Sequence, residues 1–244
     1  MEYDNFLNLV KNRRSIRRFK TDPVPDEYIE KIIEAARWAP SGYNTQPWEF
    51  FIIKDKKLKD TIVQSFDLHK SLLSRAELVH CSPERLKILG NPWRDNDMDF
   101  RAAPVFIILY ADTRAKIGLP DMGKMDPVKT PLVIKNSLAC AFVYMLLAAT
   151  SLGLATQWLG GSPEIYNTLT SFLNIPKEFE PFAIMPVGYP AYKARPKLLR
   201  LKQKMVHYDY CGKTDFRTEQ EVNAFARKTW IWTTANHWRG IDRT

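Results

Sequence analysis

Apolar residues recur along this chain with two periods, and each period predicts a different element. Tyr3, Phe6, Leu7 and Val10 fall at i, i+3, i+4 and i+7, so the chain opens on a short amphipathic helix. Pro25, Asp26 and Glu27 then make a good first helical turn, with acids at the positive end of the helix dipole. Ile29, Ile32, Ile33 and Ala36 supply that helix with a buried face, and Pro40 stops it. Glu49–Ile53, Pro104–Tyr110 and Phe182–Val187 are short, apolar and rich in β-branched residues, which predicts buried strands.

Leu132–Leu152 is the longest apolar helix, free of Pro and Gly and carrying only Lys135 as a charge. Its uninterrupted apolar run, Leu138–Ala149, falls short of the ~20 residues of a bilayer span, so it reads as a central helix needing cover on every side. Leu154–Gly161 reads as a strand ending in two glycines, and Ser162-Pro163-Glu164 as the N-cap and first turn of a helix running towards Asn174. Val222, Phe225, Ala226, Thr229 and Trp230 line one face of a further helix, and Trp232 and Trp238 follow it. That carboxy-terminal stretch has apolar surface to bury.

Between the first two strands, residues 54–103 do not continue the sheet. Leu58, Ile62, Phe66, Leu72 and Leu73 have helical spacing there, and Pro83, Gly90 and Pro92 interrupt it. A segment inserted between core strands is a common place for a lid. Trp93 and Phe100 could face a ligand or simply pack.

Charge adds one constraint. The net charge of +9 is compatible with nucleic acid, an anionic membrane surface or phosphorylated ligands. Lysine and arginine occur along the whole chain, and the densest run, Lys193–Lys204, has six of them and no acid. The amino-terminal residues lack the pattern of a secretory signal, which sets a cytoplasmic location as the expectation. Cys81, Cys140 and Cys211 form no Cys-x-x-Cys, and His69, His80, His207 and His237 show no ligand spacing, so neither a disulfide framework nor a metal site is expected.

Two stretches carry the chemistry. Arg13-Arg14-Ser15-Ile16-Arg17-Arg18-Phe19 places four guanidinium groups and a hydroxyl within seven residues. In an extended segment Arg13, Ser15 and Arg17 point one way and Arg14, Ile16 and Arg18 the other, so two guanidinium forks with a hydroxyl between them suit a terminal phosphate. Pro40, Gly42 and Pro47 mark irregular backbone, while Ser41, Asn44, Thr45 and Gln46 offer short polar groups to a flat heteroaromatic ligand. Surface salt bridges and an ordinary helix-ending turn are the alternative readings.

RRSIRRF followed by a helix and APSGYNTQPWEFFII resembles the amino-terminal signature of the FMN-dependent nitroreductase family. FRAAPVFIILY, LGLATQWLGG and PVGYPAYKARPKL follow in the family's order, so the resemblance runs from Asn12 to about Leu198. It implies a nitroreductase-like α+β fold: a central, mostly antiparallel sheet flanked by helices, with a long central helix and a carboxy-terminal arm in a homodimer. Residues 1–215 would form one FMN-binding domain with 54–103 as a variable lid, and 216–244 the arm.

For the site, the resemblance implies that Arg13, Arg14 and Ser15 contact the FMN phosphate and ribityl chain. Arg17 would lie near the pyrimidine carbonyl, where positive charge favours the reduced ring. Lys193 and Arg195 would complete the phosphate site, although their run could equally be a solvated face. Pro40, Ser41, Gly42 and Asn44 would form the loop beside the ring, and Trp158, Leu159, Gly160 and Gly161 would bring backbone N–H groups to its reactive edge. Arg18 stays outside this set.

No Ser/His/Asp or Cys/His set suggests a covalent nucleophile. The implied activity is ping-pong hydride transfer from NADH or NADPH, a transient donor, to an electron-poor small molecule such as a nitroaromatic or quinone. Neither nucleic acid nor membrane is an expected partner. The alternative is a basic, non-catalytic binding protein: an FMN carrier, or a binder of nucleic acid or another polyanion, which would show steep salt dependence.

Overall fold

The structure is a computed structural model that describes residues 2–80, 100–119, 129–194, 196–210, 212 and 216–234. Its chain separates into two compact units, one of residues 1–69 and 98–194, the other of residues 70–97 and 195–244. The expected boundary at 215/216 falls inside the second unit.

The first unit is built on four strands: β1 (Trp48–Ile53), β2 (Val105–Asp112), β3 (Ala155–Thr156) and β4 (Phe179–Gly188). They lie in the order β1-β2-β4-β3, antiparallel throughout, with Phe51 opposite Ile108 and Ile107 opposite Met185. Helices α1 (Tyr3–Asn12), α2 (Asp26–Arg37), α4 (Lys129–Ser151) and α5 (Pro163–Phe172) surround it, as does α3 (Lys56–His80).

Residues 105–111 of β2 are apolar at every step instead of alternating, and the packing on the two faces explains why. Ile107 and Leu109 face a core formed with α2 and α4 through Ile32, Ala36, Leu138, Phe142 and Met145. Phe106, Ile108 and Tyr110 face a second core with Ile62, Phe66, Ile165 and Leu169 of α3 and α5. A strand covered on both faces needs apolar side chains on both. Each fully buried Leu, Phe or Met contributes roughly 1.5–3 kcal/mol. Phe100 is buried edge-on against Phe66, with ring centroids 5.3 Å apart, so it packs; Trp93 lies outside the described residues.

Several expected elements form where their local chemistry places them. Ile29, Ile32 and Ala36 are the buried face of α2. Ser162 caps α5 by accepting from Ile165 N, with Pro163 opening the helix. α4 runs slightly beyond its expected start, and Thr130–Ser151 is long and apolar enough by length and composition to cross a membrane. In this fold it is a core helix, with Leu138, Phe142, Met145 and Ala149 buried.

The strand expected over 154–161 is a correction: only Ala155–Thr156 pair with β4. Trp158 leaves the sheet line to pack on Phe142 and Phe182, at centroid distances of 4.3 and 5.7 Å. Leu159 then regains a single bridge to Ile184. The expected amphipathic helix α1 forms and ends at Arg13, but none of its residues is buried and Tyr3, Phe6 and Val10 are exposed.

In the second unit, α6 (Glu219–Thr234) begins with a reciprocal cap. Thr218 N donates to Glu221 Oε2 at 3.0 Å, and Glu221 N donates back to Thr218 Oγ1 at 3.2 Å. Positive charge is less evenly spread than the cations themselves: residues 195–244 hold eleven Lys or Arg against five Asp or Glu, most of the chain's net excess.

Candidate functional site

The arginine segment is extended because it completes the sheet edge that short β3 leaves open. Ser15 bridges Thr156 in parallel, and Ile16 N donates to Thr156 O at 2.9 Å. Phe19 bridges Pro190 on the other side, with Lys20 N on Tyr189 O at 2.9 Å and Ala191 N on Arg18 O at 3.1 Å. Ile16 and Phe19 are buried anchors, while Arg13, Arg14, Ser15 and Arg17 are half-buried and Arg18 is exposed. Two distant parts of the chain, 13–20 and 189–194, are thereby laid side by side.

A cavity of about 240 Å³ opens there, lined by Asn12, Arg14, Ile16, Thr150, Tyr192 and Lys193 among others. Arg14 Nη1 donates to the carbonyls of Lys11 and, at 2.9 Å, of Arg13, so this guanidinium also caps the end of α1. Arg13 has no carboxylate partner among the described residues. Burial lowers its pKa, and the like charge of Arg14 lowers it further. Arg17 is likewise lowered by burial, partly offset by the Tyr192 hydroxyl, which accepts from Arg17 N at 3.2 Å. A half-buried guanidinium such as that of Arg13, beside a second cation, favours a nearby anion. Arg195 lies outside the described residues.

The loop after α2 sits elsewhere. Gly42 N donates to Ser137 Oγ at 3.1 Å, and a Cβ at Gly42 would lie 2.3 Å from Val133 Cγ1, so only glycine fits against α4. Ser41 Oγ accepts from Gln46 N at 3.0 Å, and Gln46 Nε2 donates to Asn44 Oδ1 at 3.2 Å. Tyr43, Asn44 and Gln46 all take positive φ, at 53°, 53° and 45°. Left-handed backbone at three non-glycine residues is strain of the kind that gathers at ligand loops. Pro40 and Asn44 are exposed, and Ser41 is half-buried.

These two halves of the expected site lie near opposite ends of α4. Ser137 holds the Gly42 loop and Thr150 lines the arginine cavity. At 1.5 Å per helical residue these two anchor positions are roughly 20 Å apart along the helix. A second cavity, about 210 Å³, lies at the loop end and is lined by Lys116, Ile134, Lys135, Glu180 and Phe182 among others.

Trp158–Gly161 falls beside the sheet edge. Trp158 is 39% exposed, Leu159 is buried, and a Cβ at Gly161 would meet the Tyr166 ring at 2.9 Å. At Gly160 a Cβ would meet nothing within 4 Å, so no packing within the chain demands glycine there. Gln157 just before them is 4% exposed, and its Oε1 has no hydrogen-bond partner among the described residues. Sequence reasoning overlooked Gln157 and Tyr192. Their only signal was adjacency: Gln157 precedes the glycine-ending segment, and Tyr192 precedes Lys193.

No group of three or more His, Cys, Asp or Glu able to hold a metal occurs among the described residues.

Residues 10–189 match the sequence profile of the nitroreductase family. An iodotyrosine deiodinase of Haliscomenobacter hydrossis is 30% identical over 203 residues, covering 83% of this chain and 86% of that protein. A solved iodotyrosine deiodinase bound to FMN and 3-iodo-L-tyrosine is 26% identical, with TM-score 0.63, over 84% of this chain and 98% of that one. An FMN-dependent nitroreductase from Clostridium difficile R20291 shares the fold at 22% identity and TM-score 0.59, over 84% and 99% of the two chains. With three quarters of its length in that profile and its sheet edge built from the family's own segments, this chain belongs to the nitroreductase family.

Proposed function

We propose that this chain is an FMN-dependent oxidoreductase that works as a homodimer, taking a hydride from NADH or NADPH and passing it to an electron-poor small molecule such as a nitroaromatic or quinone. The observation that carries this reading is the basic segment on the sheet edge, where half-buried Arg13 has no carboxylate partner among the described residues and the next residue, Arg14, lines a cavity together with Lys193. A doubly ionised phosphate monoester supplies negative charge in the geometry guanidinium forks prefer.

The residues present fit the cofactor. Arg13, Arg14, Ser15 and Lys193 would hold its phosphate, with Arg195 joining them. Arg17 and the backbone of Trp158–Gly161 would meet its ring, and Gln157 Oε1 is a buried acceptor that still lacks a donor. When bound, FMN supplies the hydride-accepting and hydride-donating ring; the chain binds it, orients it and sets its electrostatics. The FMN-bound deiodinase relative supports the same cofactor here.

The separate anchoring of the two half-sites along α4 supports the homodimer. α4 leaves Leu132, Val143 and Tyr144 exposed by 51%, 42% and 40%, an uncovered apolar stripe on a helix otherwise built into the core. Two copies of α4 crossing antiparallel near Val143 and Tyr144 cover that stripe and set Ser137 of each copy level with Thr150 of the other. The Gly42 loop of one copy then reaches the arginine cavity of its partner, and the self-complementary two-fold contact makes two composite sites. The exposed apolar residues of α1 add to the surface such a contact buries.

A second reading of the acceptor comes from the deiodinase relatives, whose solved complex holds 3-iodo-L-tyrosine. On that reading the acceptor is a halogenated phenol. The test starts from colour: the purified protein is expected to be yellow, to release FMN identified by mass spectrometry, and to bleach with NADH or NADPH under nitrogen. Reoxidation by a nitroaromatic, a quinone or 3-iodo-L-tyrosine then ranks the acceptors. A colourless protein that takes up no FMN overturns the proposal.

A further inference from the structure

We infer that Tyr192 is a positioning residue of the proposed flavin site, holding Arg17 in the orientation from which its charge acts on the bound ring; this rests on the FMN reading above. The backbone ladder between the two segments explains why a side chain is needed. Lys20 and Ala191 donate to the carbonyls of Tyr189 and Arg18 on one side, and Ile16 donates to Thr156 on the other. The N–H of Arg17 falls between these two ladders, and the acceptor that meets it is the Tyr192 hydroxyl, at 3.2 Å.

The same hydroxyl also favours the charged form of the Arg17 side chain, working against the burial that weakens it. The Tyr192 ring is itself held, because it packs half-buried against the core that contains Ile16 and Phe19. It also lines the arginine cavity beside Lys193. One phenol therefore ties the backbone and charge of Arg17 to the chain segment that supplies Lys193. A cation fixed near an electron-accepting ring raises its affinity for electrons, and a cation free to swing away does so less.

Tyr192→Phe keeps the ring and removes only the hydroxyl. The expected result is a folded protein whose FMN dissociation constant rises roughly fivefold, the scale of one ordinary lost hydrogen bond, and whose bound flavin has a lower midpoint potential. Tyr110→Phe, in which a buried strand tyrosine loses its hydroxyl contact with Thr170 at 3.3 Å, is expected to leave both quantities unchanged. In an Arg17→Ala background, Tyr192→Phe should lower the potential no further. Tyr192→Phe with the wild-type constant and potential overturns the inference, as does a full additive drop in the Arg17→Ala background. A wild-type protein that binds no FMN overturns the flavin reading and this inference together, so the two failures are distinguishable.

Discussion

Gly42 and Val133 stand so close that the loop after α2 accepts no side chain at its contact with the long helix: a Cβ at position 42 would lie 2.3 Å from Val133 Cγ1. Gly42→Ala should therefore cost about 1–3 kcal/mol of stability, the usual range for overpacking. The double variant with Val133→Ala should recover most of the loss. Thermal unfolding of the single and double variants checks this, and a Gly42→Ala protein as stable as wild type would contradict the contact.

Reversing the charge at Arg13 is expected to abolish FMN binding. The residue is half-buried, is already opposed by Arg14, and gains repulsion as well as losing hydrogen bonds when it becomes glutamate. Arg18→Ala, on an exposed side chain that does not line the cavity, should change affinity little. Fluorescence titration of both variants with FMN decides it, and equal affinity in wild type and Arg13→Glu would show that the phosphate lies elsewhere.

Assembly and cofactor retention should fail together. Val143 lies midway along α4 between the positions that serve the two half-sites, so Val143→Lys puts a charge at the centre of the proposed two-fold contact. Sedimentation with flavin absorbance followed alongside mass is expected to show a colourless monomer. A yellow Val143→Lys dimer would remove the support for a composite site.

Acid should loosen the turn after β2 by a route that one residue controls. Arg114 donates Nε and Nη2 to the two Asp112 carboxylate oxygens, each at 2.8 Å, and Arg114 N adds a third bond at 3.0 Å. The side-chain bonds to Arg114 are the main reason that the Asp112 pKa is lowered, outweighing burial. A depressed carboxylate stabilises the fold above its unfolded pKa, near 4, and that contribution disappears as pH falls through the lower folded value. In so open a pair the effect should stay below about 1 kcal/mol and shrink in salt. Stability measured from pH 5 downwards should fall less steeply in Asp112→Asn than in wild type; parallel curves would show that the pair contributes nothing.

The amino-acid sequence by itself determined what depends on near neighbours. The Thr218-x-x-Glu221 cap, the Ser162-Pro163 helix start, the buried face of α2 and the all-apolar β2 follow from residues within a few positions of one another. The arginine cluster and the family segments are legible in the same way, because each is contiguous in the chain. Tertiary structure alone decided the rest. Tyr192 meets Arg17 across 175 residues of chain, and no period or motif encodes that pairing. β3 stops after two residues, and two positions on, Trp158 packs on Phe142 and Phe182, partners distant in the chain. Segments whose motifs suggested one pocket are anchored at positions of α4 roughly 20 Å apart along the helix, one at Ser137 and the other beside Thr150. Sequence shows which groups a ligand would need; the distances between them are set by the packing of elements far apart in the chain.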